Sequence, residues 1–490
     1  IPEALRLADN LDVAQKGSHD WAISSRGFDT DSANKLLVLM DGRSVYTPLF
    51  SGVFWDVQDY LLEDVDRVEV ISGPGGTLWG ANAVNGVINI TTKDARDTQG
   101  TYWEASGGSR FQDSLAARYG GRADSGLYYR VYGKYFALGN EDLASGGEAS
   151  DAWNHKQGGF RMDGEAGEDH FTLQGDLYGT TANLSSGGTA ESDGGNLLGR
   201  WTKTFAADDD MGLQAYYDRT YLYDPVPASV SSGGATLAPA GTLTDNLTTL
   251  DLDFHHRFAL TRAQELTWGL GVRYTHDTVT DAPGLAFDPS TLDQGLFSAF
   301  AQDEIGLWKD LTLTAGTKLE HNDYTGFEWE PSARLKWKLD GGQMLWTAVS
   351  RAVRAPSRVD RDILLPTPNF SPIVDDLLVG GKDFRSETLV AYELGYRAQA
   401  APDLAASASA FFNNYDDIRS TSLSPPNAYS LPFPLYYANN LAAQTWGLEL
   451  TADWQAAPGW RLHGGYDLLQ ESVWVKPGQF DYNNALNETA

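Results

Sequence analysis

The sequence predicts a compact mixed α/β unit over residues 1–95 followed by an all-β antiparallel transmembrane barrel over residues 96–490. Three observations predict it. From about residue 100 onward, apolar and polar residues alternate with a period of two in run after run, whereas the earlier residues mix short strand-like runs with turn chemistry. Short and long connections take turns between the alternating runs. Aromatic residues reach 12%, yet no stretch approaches the ~18 uninterrupted apolar residues that a spanning helix needs, so any crossing must be by strands.

In the first unit, Pro2 with Glu3, Ala4, Leu5 and Leu7 behind it predicts a short amphipathic helix ending near Asn10. Strand-like runs follow at residues 23–28, 35–40, 65–71 and 86–92. They are separated by Asp41-Gly42 and by the Gly73-Pro74-Gly75-Gly76 reversal. There Gly73, Gly75, Gly76 and nearby Gly80 permit tight or positive-φ backbone, and Pro74 stiffens the bend, so these glycines are expected to shape the turn. A phosphate loop is excluded, since no lysine lies between Lys35 and Lys93.

Residues 127–137 show the barrel grammar. Leu127, Tyr129, Val131 and Tyr135 fall on one face, and Tyr128, Arg130, Tyr132 and Lys134 on the other. The rule recurs at 266–275 and 311–320, and about seventeen such runs of roughly ten residues are present. A soluble sandwich would alternate too, so the connections decide. Short links at 123–126, 206–208, 309–310, 340–342, 401–403 and 457–459 follow every second run. Long connections are expected at 139–153, 180–194, 224–244, 277–293, 354–385 and 416–442. Short turns on one rim and long loops on the other are the plan of an outer-membrane barrel. Against the 22 strands of a plugged transporter, the expectation is a 22-stranded type truncated to about 17, with both ends of the chain cut.

Composition removes other classes. A net charge of −30 leaves no basic track for nucleic acid. With no cysteine there are no disulfides or thiolate metal sites. His255 and His256 point to opposite faces of a strand, so no metal site is expected. Asp208-Asp209-Asp210 and Asp416-Asp417 sit at a turn and a strand end, where carboxylates are solvated. No catalytic residue and no cofactor is expected.

The stretches ISSRGF (23–28), LLVLMDGRSVY (36–46) and LLEDVDRVEVISGPGGTLWGANAVNGVINITTK (61–93) closely resemble the plug domain of TonB-dependent receptors. Weaker echoes in the barrel half are WTAVSRAVRAPS (346–357), ETLVAYELGYR (387–397), FFNNYDDI (411–418) and WGLELTADW (446–454). The resemblance implies an outer-membrane receptor whose plug fills the barrel, whose ligand is captured above the plug, and whose plug is moved by the periplasmic TonB energising complex. It implies a ferric siderophore by default. Cobalamin, haem, other chelates and oligosaccharides stay open, haem being disfavoured because no histidine lies between Pro356 and Glu393. A secreted carbohydrate-active β-protein, a passive porin or an adhesin are the alternatives.

Strand parity turns Glu393 and Glu449 into the lumen. The resemblance makes them partners of plug arginines, one in the RGF motif and one just before the Gly-Pro turn. Arg26 fills the first place, while Ser72 stands where the second arginine is usual, so half of that lock is expected. Ligand capture is expected around Arg43, Tyr46, Phe50, Phe54 and Trp55, aromatics gathered beside the Asp41-Gly42 turn.

Overall fold

The computed structural model describes residues 1–30, 33–231, 233–368, 376–423 and 434–482. Its N-terminal unit is built on a four-stranded sheet in the order Arg43–Ser44, Leu36–Met40, Gly86–Thr92, Val65–Ser72, with the central pair parallel. Leu36–Met40 is wholly apolar and Gly86–Thr92 carries Val87, Ile88 and Ile90, as suits central strands covered on both faces. Val38, Met40, Ile88 and Ile90 pack into one core with Leu5, Ile23 and Trp55, and Leu37, Leu39 and Val87 into another with Ala83. Asp41 and Gly42 close the first hairpin with φ of 51° and 81°, the paired positive values that a two-residue I′ turn requires. The Asp41 carboxylate fastens that turn by accepting from Thr92 N at 2.8 Å and Thr92 Oγ1 at 2.9 Å.

Two expectations for this unit are corrected. The helix is only Pro2–Leu5, and Leu7 is 84% exposed, because Arg6 Nη1 turns back to donate to Val13 O at 2.6 Å as the chain leaves the helix. The strand expected at 23–28 is Trp21–Ser24. It stops because Arg26, Gly27 and Phe28 all take positive φ, which extended backbone does not continue through.

From Gly100–Gly107 to Trp460–Val475, each long strand pairs antiparallel with the next. The period of two sorts the side chains. Arg130, Arg161, Asp163, Asp176 and Glu320 are buried on the inner face, whereas Val131, Leu177, Leu270, Val272, Phe297, Leu319 and Trp329 are exposed. The outer face of the strands is thus lined by exposed apolar side chains. No helix among the described residues is long and apolar enough to cross a membrane.

The long connections are shorter than the sequence suggests. Asp169–Asn183 and Thr189–Ala206 stay paired through most of 180–194, leaving residues 184–188. The connections at 224–244 and 277–293 contract to 227–240 and 281–290 for the same reason: polar residues beyond the apolar belt still ladder through their backbones. In 416–442 the strands run to Leu423 and resume at Leu435, and residues 424–433 lie outside the described ones. The connection after Arg354 turns inward. Its helix Arg358–Arg361 docks on the N-terminal unit, Arg358 N and Val359 N donating to Pro48 O and Leu49 O, each at 2.9 Å.

Candidate functional site: the contact between the N-terminal unit and the barrel wall

Arg26 stands just past the end of Trp21–Ser24, in left-handed backbone, and its side chain meets the wall rather than its own sheet. Nη1 donates to Glu393 Oε1 at 2.7 Å, while Nε and Nη2 donate to Glu449 Oε1 and Oε2 at 2.8 and 3.0 Å. The guanidinium also lies 4.4 Å from the centre of the Phe411 ring. Burial by itself lowers the Arg26 pKa, but Glu449 and Glu393 outweigh it and the net shift is upward. One cation is thus shared by two barrel carboxylates from two strands.

A third carboxylate, missed at the level of sequence, joins them. Phe28 N donates to Glu471 Oε2 at 2.8 Å, and a Cβ on Gly27, at φ 102°, would overlap that same oxygen. Ser72 does not reach the cluster, since its Oγ accepts from Asn10 Nδ2. Its neighbour Gly73 does: a Cβ there would stand 2.5 Å from Glu393 Oε1 and 2.9 Å from Arg26 Nη1.

The reversal makes a second contact on another stretch of wall. After half-buried Pro74 and buried Gly75, the helical turn Gly76–Trp79 rests against Glu320 and Glu330. Ala81 N donates to Glu320 Oε2 at 2.9 Å, and Thr77 Oγ1 donates to Glu330 O at 2.9 Å and contacts Ser332 Oγ at 2.8 Å. Side chains at Gly76 or Gly80 would collide with the Glu330 and Glu320 carboxylates. Gly73 and Gly80 take positive φ of 82° and 83°, as glycines of a reversal do, and Gly75 packs inside the unit against Trp79 and Val87; Gly76 and Gly80 are in addition bare so that the wall can approach. A third contact is ionic: Lys35 bonds to Glu387, which accepts from Arg354 Nη2 at 2.8 Å, while Arg354 Nη1 donates to Asp360 at 2.8 Å.

The expected ligand group is divided. Arg43 is buried and bonds to Asp218 of the wall, so its charge is already engaged. Tyr46 donates to Asn34 O at 3.0 Å and borders a cavity of about 620 Å³. Phe50, Phe54 and Trp55 border a separate one of about 300 Å³, with the two phenyl rings edge to face at 4.9 Å. Among the described residues no cluster of His, Asp or Glu is arranged to hold a metal ion.

A curved wall of strands, apolar outside and carboxylate-bearing within, holding a separately folded unit by non-covalent contacts, defines a plugged barrel. Residues 1–87 match the family model described as TonB-dependent Receptor Plug Domain, and residues 139–489 the model described as TonB dependent receptor-like, beta-barrel. The chain belongs to the TonB-dependent receptor family. It is 26% identical to the ferric enterobactin receptor of Pseudomonas aeruginosa over 86% of this chain and 65% of that protein. To the iron-regulated outer membrane virulence protein of Vibrio cholerae it is 26% identical over 92% and 69%. The chain thus spans about two thirds of the length of these curated relatives. Among solved structures, it superposes on the siderophore receptor PirA of Acinetobacter baumannii with a TM-score of 0.75, at 18% identity, covering 96% of this chain and 82% of that one. The ferric enterobactin receptor PfeA gives 0.76, at 20% identity, covering 97% and 82%. Three of these four are named as ferric enterobactin or siderophore receptors, and the porin, adhesin and carbohydrate-active alternatives find no support among them.

Proposed function

We propose that this chain is the greater part of an outer-membrane receptor that imports a ferric siderophore using energy delivered by TonB. Residues 1–95 act as the plug and residues 96–490 as the barrel, whose apolar belt faces outer-membrane lipid. The observation that carries the reading is the plug–wall contact. Arg26 on Glu393 and Glu449, Phe28 N on Glu471, the Gly76–Gly80 turn on Glu320 and Glu330, and apolar packing such as Val84 against Leu389 and Tyr415 hold the plug by non-covalent contacts, so force can release it without breaking a covalent bond. The names of the relatives supply the cargo class. The chain moves its ligand and does no chemistry on it.

A complemented strain tests this. The full-length gene, placed in an iron-limited host lacking its own receptors, should restore growth on at least one ferric siderophore, and only while TonB is present. Growth that persists without TonB would make the protein a passive pore. No growth on ferric hydroxamates, catecholates or carboxylates would overturn the siderophore assignment.

A further inference from the structure

The cavity of about 300 Å³ lies between the plug and the ends of the strands nearest connections 184–188 and 227–240. It is bordered by aromatic Phe50, Phe54 and Trp55 and by three acids, Asp20, Asp56 and Asp224. No Arg or Lys borders it among the described residues. Lys16 pairs with Asp20 at 3.2 Å, and neither Asp56 nor Asp224 has an ion pair among the described residues. The larger cavity is different: Arg200, Arg273 and Lys318 border it alongside its acids.

We infer that this cavity receives the cationic end of the imported chelate: a protonated amine on a neutral or positively charged ferric complex, of the linear trihydroxamate kind, in preference to a trianionic tris-catecholate. The inference rests on the siderophore reading above and narrows it. Ring faces beside an uncompensated carboxylate attract an ammonium group by its charge and by the ring quadrupole. The same carboxylates, partly withdrawn from water, repel a polyanion more strongly than they would in bulk solvent. Burial, with the nearby charge of Asp20 adding to it, pushes the Asp56 carboxyl up to about 7, although its own backbone N–H and that of Val57 pull the other way. An arriving cation removes that penalty by stabilising the ionised form.

Binding to the purified full-length receptor, followed by tryptophan quenching, tests the inference with three probes: ferrioxamine B, which ends in a primary amine; its N-acetylated form, which lacks the charge; and a ferric tris-catecholate. Ferrioxamine B should bind about 10- to 100-fold more tightly than the acetylated form. Asp56→Asn should bring it down to the acetylated level while leaving the acetylated form unchanged, a result that a folding defect would not give. Equal affinities for the amine and acetylated probes, or tighter binding of the tris-catecholate, would overturn the cationic site while leaving siderophore import standing. Failure of all three to bind, joined with failure of the growth test, would remove both.

Discussion

The plug meets the wall through the same chemical group, a barrel carboxylate, in two opposite ways. Around Arg26 the plug contributes a long side chain, and three glutamates converge on it and on the backbone beside it. Around Gly76 and Gly80 the plug presents backbone, with the Thr77 hydroxyl between them, and the glutamates fill the space where side chains would be. The first contact is made by reach and charge, the second by closeness. A charge-based contact depends on desolvation and is strong only while water is kept out, whereas a close backbone contact depends on shape and tolerates no added carbon.

The largest expected break is at the charged end. Arg26→Ala strands Glu393 and Glu449 without their cation and should cost the docked plug on the order of 3–5 kcal/mol. Hydrogen exchange of the plug in the complete receptor reads this as lost protection, and an unchanged protection pattern would mean the lumen is wet enough to screen the pair. Arg26→Lys keeps the charge but not the fork, so it should recover only part of that loss. At the close end, Gly80→Ala places a methyl group against Glu320 at φ 83° and should cost about 1–3 kcal/mol. Adding Glu320→Ala should relieve most of that steric cost, and strict additivity of the two changes would show that closeness is not the issue. The smallest effect is at Ser72. Ser72→Arg supplies a second cation beside Glu393 at the cost of the Asn10 hydrogen bond, for a net gain under about 1 kcal/mol. Single-molecule extraction of the plug should then need slightly more force, and an unaltered rupture force would show that position 72 cannot reach the glutamates.

Much of this was legible in the sequence, and the missing parts share a cause. Strand parity alone turns Glu393 and Glu449 inward, because a period of two leaves no other choice once the apolar face is known. Parity cannot say which plug atom an inward carboxylate meets. Glu471 also falls on an inner face, but its partner is a backbone N–H exposed only because residues 26–28 leave extended geometry, and nothing in the residue types at Arg26 or Phe28 announces positive φ. Glu320 and Glu330 were hidden for a related reason: their partners are glycines, which read as turn-formers until the opposing wall is in view. The overestimated loops show the converse limit. Hydrophobic alternation marks where a strand crosses lipid, and beyond the belt the polar ends of residues 169–206 keep their ladder without the pattern that would reveal it. Arg43 looked available as an isolated basic residue among aromatics, and only the fold brings Asp218 to it from far along the chain.

The order of the fastenings along the chain has a mechanical consequence. Arg26, Gly27 and Phe28 precede the Gly76–Gly80 turn by some fifty residues and are anchored to different strands of the wall. A tension applied on the N-terminal side therefore loads them in series. The contacts of Asp9 with His463 and of Ser18 with Asp151 bear load first, then the arginine clasp, and only when these part does strain travel through the intervening sheet to the glycine contact. Rupture would be staged, and a partly opened barrel would exist between the parting of the arginine clasp and that of the glycine contact.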